Sequence, residues 1–237
     1  MRTLILCGGR GTRAYPHTLE LPKPLLEVGD RPVLRHVMEL YASQGCDDFV
    51  LAAGFKHEAI AEFALTLPPG WKVAVADTGE DTPTGARVAR CLDGLGERFF
   101  VTYGDGLADV DLGGLLAFHS GHGRAATVTT VPLPSQYGTL DLGDGDAVEA
   151  FVEKPVLSSH WINGGFFVFE RRALDPLAGP DLERDVLPAL AAAGELFAYR
   201  HRGFWKSMDT YKDAVELARL AAEGRPPWTR SPAPASS

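Results

Sequence analysis

The chain has 237 residues, of which 45% are hydrophobic and 23% charged, and its formal net charge is −8. This mix is typical of a globular protein, and the length suits one large α/β domain. An acidic chain without a Lys/Arg run argues against duplex nucleic acid as a partner, and no apolar stretch approaches the ~20 residues of a membrane span. Three separated cysteines predict neither a zinc site nor a disulfide framework, so we expect a protein of the reducing cytoplasm. The lack of a long apolar stretch predicts no membrane partner.

Strand and helix patterns alternate through the first half of the chain. The predicted strands are Thr3 to Leu6, Phe49 to Ala53, Val73 to Ala76 and Arg98 to Thr102. The predicted helices between them are Pro32 to Ser43, Lys56 to Leu65 and Thr84 to Leu92. This βαβ rhythm predicts an α/β fold of three layers, with a mostly parallel central sheet covered by helices on both faces, as in Rossmann-like proteins.

The second half is richer in strand patterns and predicts a small β-rich part. Strands are predicted at Ala125 to Val131, Ala147 to Glu153 and Gly164 to Phe169, and helices at Asp181 to Ala193 and Asp209 to Ala222. The Gly- and Asp-rich segment LDLGDGD indicates a hairpin turn. We therefore expect a single domain over residues 1–225 and a flexible Pro/Ser-rich tail over residues 226–237.

The segment LCGGRGTR, from Leu6 to Arg13, follows the first predicted strand directly. Glycines there allow backbone N–H groups to approach a phosphate or a base, and Arg13 adds a planar cation. The segment has neither the Rossmann GxGxxG spacing nor the GK[ST] ending of a P-loop. From the glycines alone, a plain turn between strand and helix is equally compatible.

Lys23 stands between two prolines, Pro22 and Pro24, ten residues after Arg13. Flanking prolines stiffen the backbone, so the ammonium group is presented from a rigid loop. A fixed cation is what a phosphoryl-transfer transition state requires. A PKP turn by itself is more often an ordinary surface loop. The position of Lys23 ten residues after Arg13 in the sequence is what favours a functional role.

The segment VTYGDGLADVD, from Val101 to Asp111, places an acidic turn after a strand. Mg²⁺ binds hard oxygen ligands and needs only one or two carboxylates beside phosphate, so Asp105 is a candidate ligand. Asp and Gly are also common turn residues, and both interpretations of Asp105 stay open. Turn or capping roles are favoured for Asp109 and Asp111.

Two later segments carry further candidates. FVEKP ends a predicted strand with Glu153 and Lys154, and Asn163 precedes a pair of glycines that could suit sugar hydroxyls. Taken alone, these stretches favour the simpler interpretation, an exposed charged strand end and a glycine bulge. In GFWKSMDT, Asp209 is either a second metal ligand or the N-cap of the last helix. From the residues alone the cap is favoured.

These motifs together resemble the sugar nucleotidyltransferase family. The family's opening pattern, GGxGTR followed by PKP, is matched at Gly8 to Arg13 and at Pro22 to Pro24. The finer resemblance is to the cytidylyl type that acts on glucose 1-phosphate. It is carried by ADTGEDTPTGARVAR, FVTYGDGLADVDL, WINGGFFVF and GFWKSMDT.

The resemblance implies an enzyme that joins CTP to a sugar 1-phosphate, glucose 1-phosphate by default, and releases pyrophosphate. It implies Mg²⁺ at Asp105 and Asp209, and catalytic roles for Arg13 and Lys23. Nucleotide contacts are implied at Leu6, Gly8, Gly9, Gly11, Thr12, Arg13, Lys23, Gly79, Thr84 and Gly104. Sugar-phosphate contacts are implied at Tyr137, Gly138, Glu153, Lys154, Asn163 and Gly164. A homo-oligomer is compatible with it, and so are dTTP or UTP as the nucleotide, or a sensor that keeps the fold without turnover.

Three features depart from the cytidylyl pattern. Leu21 stands where a basic residue is usual, and the chain is short between Leu67 and Val73, near the lobe that borders subunit contacts. Lys206 and Ser207 replace a Gln-Pro pair. The last change is expected to bear on the choice of sugar.

Overall fold

The apolar strands predicted in the first half form the centre of a seven-stranded sheet. The computed structural model describes residues 1–11, 21–174 and 179–229. The strands are β1 (Thr3–Leu6), β2 (Glu27–Val28), β3 (Arg31–Pro32), β4 (Asp48–Ala53), β5 (Lys72–Asp77), β6 (Arg98–Tyr103), β7 (Gly106–Ala108), β8 (Ala126–Pro134), β9 (Thr139–Leu142), β10 (Val148–Val152), β11 (Val156–Glu170), β12 (Leu196–Arg200) and β13 (Trp205–Ser207).

Helices connect these strands and cover the sheet. They are α1 (Val33–Ala42), α2 (His57–Ala64), α3 (Thr84–Cys91), α4 (Leu112–His122), α5 (Leu187–Ala192) and α6 (Tyr211–Ala222). A π-helical turn, Leu182–Val186, leads into α5, and short 3₁₀ turns include Lys23–Leu25 and Pro227–Thr229. Among the described residues, no helix combines the length and the apolar composition needed to cross a membrane.

The main sheet has the strand order β12-β8-β11-β6-β1-β4-β5. Strands β6, β1, β4 and β5 run parallel, β12 is parallel to β8, and β11 is antiparallel to both of its neighbours. The predicted mostly parallel α/β sheet is therefore confirmed. Because β6, β1, β4 and β5 run in one direction, the loops that follow them meet at one edge, where open α/β sheets bind ligands.

Two hydrophobic clusters lie on opposite faces of the sheet. The alternation of side chains along a strand divides β1 between them: Leu4 and Leu6 pack on one face and Ile5 on the other. The first face is covered by α3 and by Leu182 and Leu187, and the second by α1 and α6. This is the three-layer arrangement that the sequence predicted.

Smaller strand pairs extend from the main sheet. β9 and β10 form the predicted antiparallel hairpin, with its turn at Asp144–Asp146. The pair of β7 and β13 was not predicted, and neither were α4 and β12. Helix α4 contains three glycines that weaken its sequence pattern, and its N-cap is Asp111, in the capping role favoured above. Asp109 instead lies 3.1 Å from the His201 imidazole.

The structure differs from the predicted tail at its start. Pro227–Thr229 form a 3₁₀ turn, and the Trp228 side chain is only 3% exposed. Its indole packs against His36 and Phe204, with ring centroids 5.5 and 5.8 Å away. Burial of one large aromatic group orders this segment, whereas the Pro/Ser composition around it suggested a loose one. Residues 230–237 lie outside the described part of the chain.

Candidate active site

A cavity of about 450 Å³ opens at the carboxyl edge of the parallel strands. Its wall combines the loop after β1, the Lys23 turn, the loop after β6, and the segment between β5 and α3. The predicted nucleotide-binding residues in this wall are Leu6, Gly8, Gly9, Gly11, Lys23, Thr84 and Gly104, and Asp105 joins them. The volume lies within the range of small-molecule sites.

The glycine loop is close-packed against two cationic side chains. A side chain at Gly8 would collide with the guanidinium of Arg87. Gly11 has φ +59°, and a Cβ there would lie 2.7 Å from the Cβ of Lys23. The glycines are therefore needed for the close approach of Arg87 and Lys23 as well as for backbone access to a ligand.

Arg87 is a functional candidate that the sequence reasoning did not single out. It is 3% exposed, lines the cavity, and donates to the carbonyl oxygens of Gly8 (2.9 Å), Glu80 (2.8 Å) and Ala53 (3.1 Å) and to the hydroxyl of Thr78 (2.6 Å). Burial, followed by Arg90, lowers its pKa, yet a guanidinium stays charged in proteins. Arg87 thus fixes the glycine loop to the 78–80 segment; its only sequence signal is its place in the TGAR stretch.

Lys23 begins the 3₁₀ turn that Pro22 and Pro24 favour, and it is 8% exposed. Its ammonium group lies 2.5 Å from the carboxylate of Asp105 and 3.0 Å from that of Asp209. Burial lowers the pKa of Lys23, but the two carboxylates outweigh it and the net shift is upward. Lys23 therefore carries its positive charge at neutral pH.

Pairing of β7 with β13 brings the two aspartates together. Asp105 immediately precedes β7 and Asp209 follows β13, and the antiparallel register pairs Ser207 with Gly106. The amide of Met208 also donates to the carbonyl of Asp105 at 2.9 Å. Residues that are 104 positions apart in the sequence thus meet on one ammonium group.

The capping interpretation of Asp209 is wrong. The N-cap of α6 is Thr210, which forms a capping box with Asp213. Asp209 instead accepts from Lys23 and, at 2.9 Å, from the hydroxyl of Ser207. Ser207 therefore holds the Asp209 carboxylate in position. In the sequence, only its place two residues before Asp209 could have indicated this contact. Lys206, its neighbour, pairs with Asp213 and Glu216 of α6 at 3.1 and 2.9 Å.

Asp105 and Asp209 supply the hard oxygen atoms that a divalent cation such as Mg²⁺ prefers. Among the described residues no cluster of three or more His, Cys, Asp or Glu side chains could hold a metal by itself. Two carboxylates are enough when phosphate oxygens complete the coordination. The position of the Lys23 ammonium between them shows that their oxygens converge on a cation.

The turn after β5 forms the far wall of the cavity. Thr84 lines it, whereas Gly79 is not among the described lining residues. Gly79 has φ +81°, and a Cβ there would lie 3.1 Å from the side chains of both Arg90 and Thr82. Arg10 of the glycine loop reaches across to Glu80 at 2.7 Å and to Asp81 at 3.4 Å. The loop and the turn are therefore joined at the cavity rim.

The predicted sugar-side residues form a second group. Tyr137, Gly138, Glu153 and Lys154 lie at the base of the β9–β10 hairpin, where the amide of Ser135 donates to the carbonyl of Pro155 at 2.9 Å. Lys154 adopts φ +48°, and its ammonium lies 3.7 Å from the carboxylate of Glu153, with both side chains exposed. These four residues are not among the described residues that line the cavity.

Asn163 and Gly164 lie on β11 and connect to other parts of the site. The Asn163 amide donates to the Tyr103 hydroxyl at 3.1 Å, and Tyr103 lines the cavity. The Gly164 carbonyl accepts from the Trp205 indole at 2.7 Å. The structure therefore links Asn163 to the nucleotide-side wall through Tyr103, which the sequence reasoning did not name. Thr12 and Arg13 lie outside the described residues.

The sequence of this chain is similar to a known protein family and to named enzymes. The family model described as nucleotidyl transferase matches residues 2–223. The chain is 40% identical to a probable glucose-1-phosphate cytidylyltransferase of Bacillus subtilis (strain 168), covering 96% of this chain and 99% of the relative. It is 36% identical to the glucose-1-phosphate cytidylyltransferase of Salmonella typhimurium, covering 96% and 98%.

A solved structure supports the fold. The crystal structure of HddC from Yersinia pseudotuberculosis, complexed with GMP-PN, superposes with a TM-score of 0.70 over 92% of this chain and 98% of that one. The two sequences are 22% identical, so this likeness concerns the architecture.

Proposed function

The chain belongs to the nucleotidyl transferase family, and from that premise we propose that it joins CTP to glucose 1-phosphate, giving a CDP-sugar and pyrophosphate. The named cytidylyltransferase relatives, similar over nearly their whole length, support the choice of CTP and of the sugar phosphate. The single observation that carries the proposal is the Lys23 ammonium held between Asp105 and Asp209 beside a glycine-lined cavity.

The reaction is a direct in-line displacement at the α-phosphorus of the nucleotide. A phosphate oxygen of the sugar 1-phosphate attacks, the bond to the β-phosphate oxygen breaks, and pyrophosphate leaves. The attacking phosphate is already ionised at neutral pH, so no general base is required. The contribution of the protein is then alignment and neutralisation of charge.

Lys23 supplies a buried positive charge for the α-phosphate in the transition state. Its cation is present before the substrate arrives, because Asp105 and Asp209 keep it protonated and fixed. The backbone of Gly8, Gly9 and Gly11 offers close approach for base and phosphates. Arg13 remains the proposed partner of the outer phosphates.

Asp105 and Asp209 would hold Mg²⁺, and the Ser207 hydroxyl would keep the Asp209 carboxylate in position by donating to it. When bound, the ion neutralises phosphate charge and orients the pyrophosphate leaving group.

The proposed sugar-phosphate contacts are Tyr137, Gly138, Glu153, Lys154, Asn163 and Gly164. Lys154 binds any phosphate, so discrimination among sugars falls to hydroxyl contacts of Glu153 and Asn163. We also propose that the protein is cytoplasmic, that it forms a homo-oligomer, and that it binds neither nucleic acid nor membranes. Three cysteines without a disulfide, Cys7, Cys46 and Cys91, fit a reducing compartment.

The test is pyrophosphate release by the purified chain with each of CTP, UTP, dTTP, ATP and GTP, combined with the 1-phosphates of glucose, galactose, mannose and deoxyglucose. We expect the highest kcat/KM for CTP with glucose 1-phosphate. A tenfold preference for another sugar would replace glucose and leave the reaction class intact. Release with none of the pairs would instead favour a nucleotide-sugar sensor.

A further inference from the structure

Glu183 lies on the π-helical turn behind the cavity wall and contacts two residues of that wall. One carboxylate oxygen accepts from the Thr84 hydroxyl at 2.6 Å, and the other accepts from the Tyr103 hydroxyl. Thr84 and Tyr103 both line the cavity. Neither the sequence motifs nor the proposed mechanism uses Glu183.

The hydrogen bonds of Thr84 have only one consistent direction. The backbone N–H of Leu182 donates to Thr84 Oγ1 at 3.0 Å, since an amide N–H can only donate. The ionised carboxylate of Glu183 can only accept, so the hydroxyl hydrogen of Thr84 is committed to it. One lone pair then remains, and Thr84 can offer a ligand an acceptor but not a donor.

Tyr103 is oriented in the same way on the other oxygen of Glu183. Burial, followed by the charge of Glu183, raises the pKa of Tyr103, so the phenol keeps the proton that it donates. The phenol oxygen accepts from Asn163 Nδ2 at 3.1 Å, and Asn163 Oδ1 accepts from the Gly165 amide at 2.8 Å. One carboxylate thus fixes hydrogen-bond directions on both the nucleotide side and the sugar side.

The position of Thr84 relative to Lys23 indicates which part of a nucleotide it meets. Leu25, in the Lys23 turn, packs in the hydrophobic cluster on one face of the sheet. Val88 of α3 and Leu182 pack in the cluster on the opposite face. Lys23 and Thr84 both line the cavity from these two sides. With the phosphates at Lys23, as proposed above, we expect the base to lie toward Thr84.

We propose that Glu183 is a positioning residue for base choice: it holds the Thr84 hydroxyl as an acceptor, which favours the exocyclic amine of cytosine over the carbonyl of uracil or thymine. The inference rests on the proposed cytidylyltransfer. An amine donates to the acceptor, whereas a carbonyl oxygen facing it leaves two buried acceptors unpaired. An unpaired buried group weakens binding of the mismatched base by roughly tenfold or more, which is enough to discriminate between the bases.

The experiment compares kcat/KM for CTP with that for UTP in four proteins: the unchanged chain, Glu183→Leu, Thr84→Val and the double variant. Leucine has a similar size but accepts no hydrogen bond, so the released Thr84 hydroxyl can donate to the uracil carbonyl. We expect the CTP-to-UTP ratio to fall by roughly tenfold in each single variant. Adding Glu183→Leu to Thr84→Val should change the ratio no further, because no hydroxyl remains to be oriented.

Two control variants separate this role from a structural one. Asp185→Asn removes a charge from the same turn, where Asp185 bonds to the Asp181 amide at 2.8 Å, and should leave the ratio unchanged. Tyr103→Phe removes the other bond of Glu183 and should lower kcat/KM for both nucleotides alike.

An unchanged ratio in Glu183→Leu and Thr84→Val would overturn the inference. If Glu183→Leu does not fold, Thr84→Val decides: a selective loss with CTP supports the acceptor role, and an equal or larger loss with UTP contradicts it. Failure of the proposed function is seen separately, as an unchanged chain that does not use CTP.

Discussion

At the scale of single residues, the site depends on charges that hold each other in place. Lys23 is buried, yet it stays ionised because Asp105 and Asp209 compensate its desolvation. The same ammonium keeps two carboxylates close together that would otherwise repel. Removing it should therefore affect the free protein and, through the role proposed for Lys23, the transition state.

For Lys23→Ala we expect kcat to fall by roughly 10²–10³, the scale for loss of one charge-stabilising donor. The variant should also have a lower Tm than the unchanged chain in the absence of divalent metal, since Asp105 and Asp209 then repel each other, and Mg²⁺ should restore part of the difference. Steady-state kinetics and thermal melts check both outcomes, with the exposed Lys72→Ala as control. Near-normal turnover would exclude Lys23 from the mechanism.

At the scale of elements, one side chain joins three segments that are far apart in the sequence. Arg87 of α3 bonds to the loop after β1, to the end of β4 and to the turn after β5. Its guanidinium can supply five N–H donors from a planar fork, which matches four acceptors in different directions. A lysine has the charge but only three donors.

Arg87→Lys should therefore leave at least one buried acceptor unpaired, at a cost of about 1–3 kcal/mol. Each kcal/mol lowers Tm by about 2–4 °C in a chain of this size. Because the glycine loop and the turn form opposite sides of the cavity, KM for the nucleotide should rise more than kcat falls. The exposed Arg225→Lys is the control. An unchanged melt and an unchanged KM would show that Arg87 is not needed to join the segments.

At the scale of the whole molecule, two buried histidines connect distant parts of the chain, and their burial favours the neutral imidazole. His36 has one ring nitrogen 2.9 Å from the carbonyl of Val28, while the other accepts from Trp228 at 3.3 Å. His119, fully buried, lies 2.8 Å from the Thr127 hydroxyl and 3.2 Å from the Glu170 carboxylate. Burial is the main reason that the pKa of each is lowered.

Stability should therefore decrease as the pH falls from about 6.5 toward 5. Above the unfolded-state pKa of ~6.5 both imidazoles are neutral in both states and contribute nothing. Below it the unfolded chain takes up protons that the folded chain does not, which favours unfolding by at most ~1.4 kcal/mol per pH unit for each histidine. Thermal melts between pH 7.5 and 5.5 check this, with His160→Asn, an exposed position, as a control that keeps the slope. A Tm that stays level or rises on acidification would contradict the prediction.

Much of the architecture was predictable because it depends on local patterns. Buried strands such as Phe49 to Ala53 and the amphipathic α1 appear in the sequence as apolar runs and helical periodicity. The glycine loop and Asp105 were predictable as candidates because each follows a predicted strand, and Lys23 because two prolines flank it ten residues after Arg13. Helix α4 and strand β12 were missed because glycines and an exposed edge weaken those patterns.

What the sequence by itself determined was the fold class, the resemblance to a family, and the residue types that could serve phosphoryl chemistry. Only the tertiary structure decided which of them meet. Asp209 has the local pattern of a helix cap, and the β7–β13 pairing turned it toward Lys23 while Thr210 took the cap. Arg87 and Glu183 act through partners 79 and 99 residues away. Contacts of that separation are set by packing of the whole chain, because local pattern specifies a side chain's chemistry but not the distant groups that it will face.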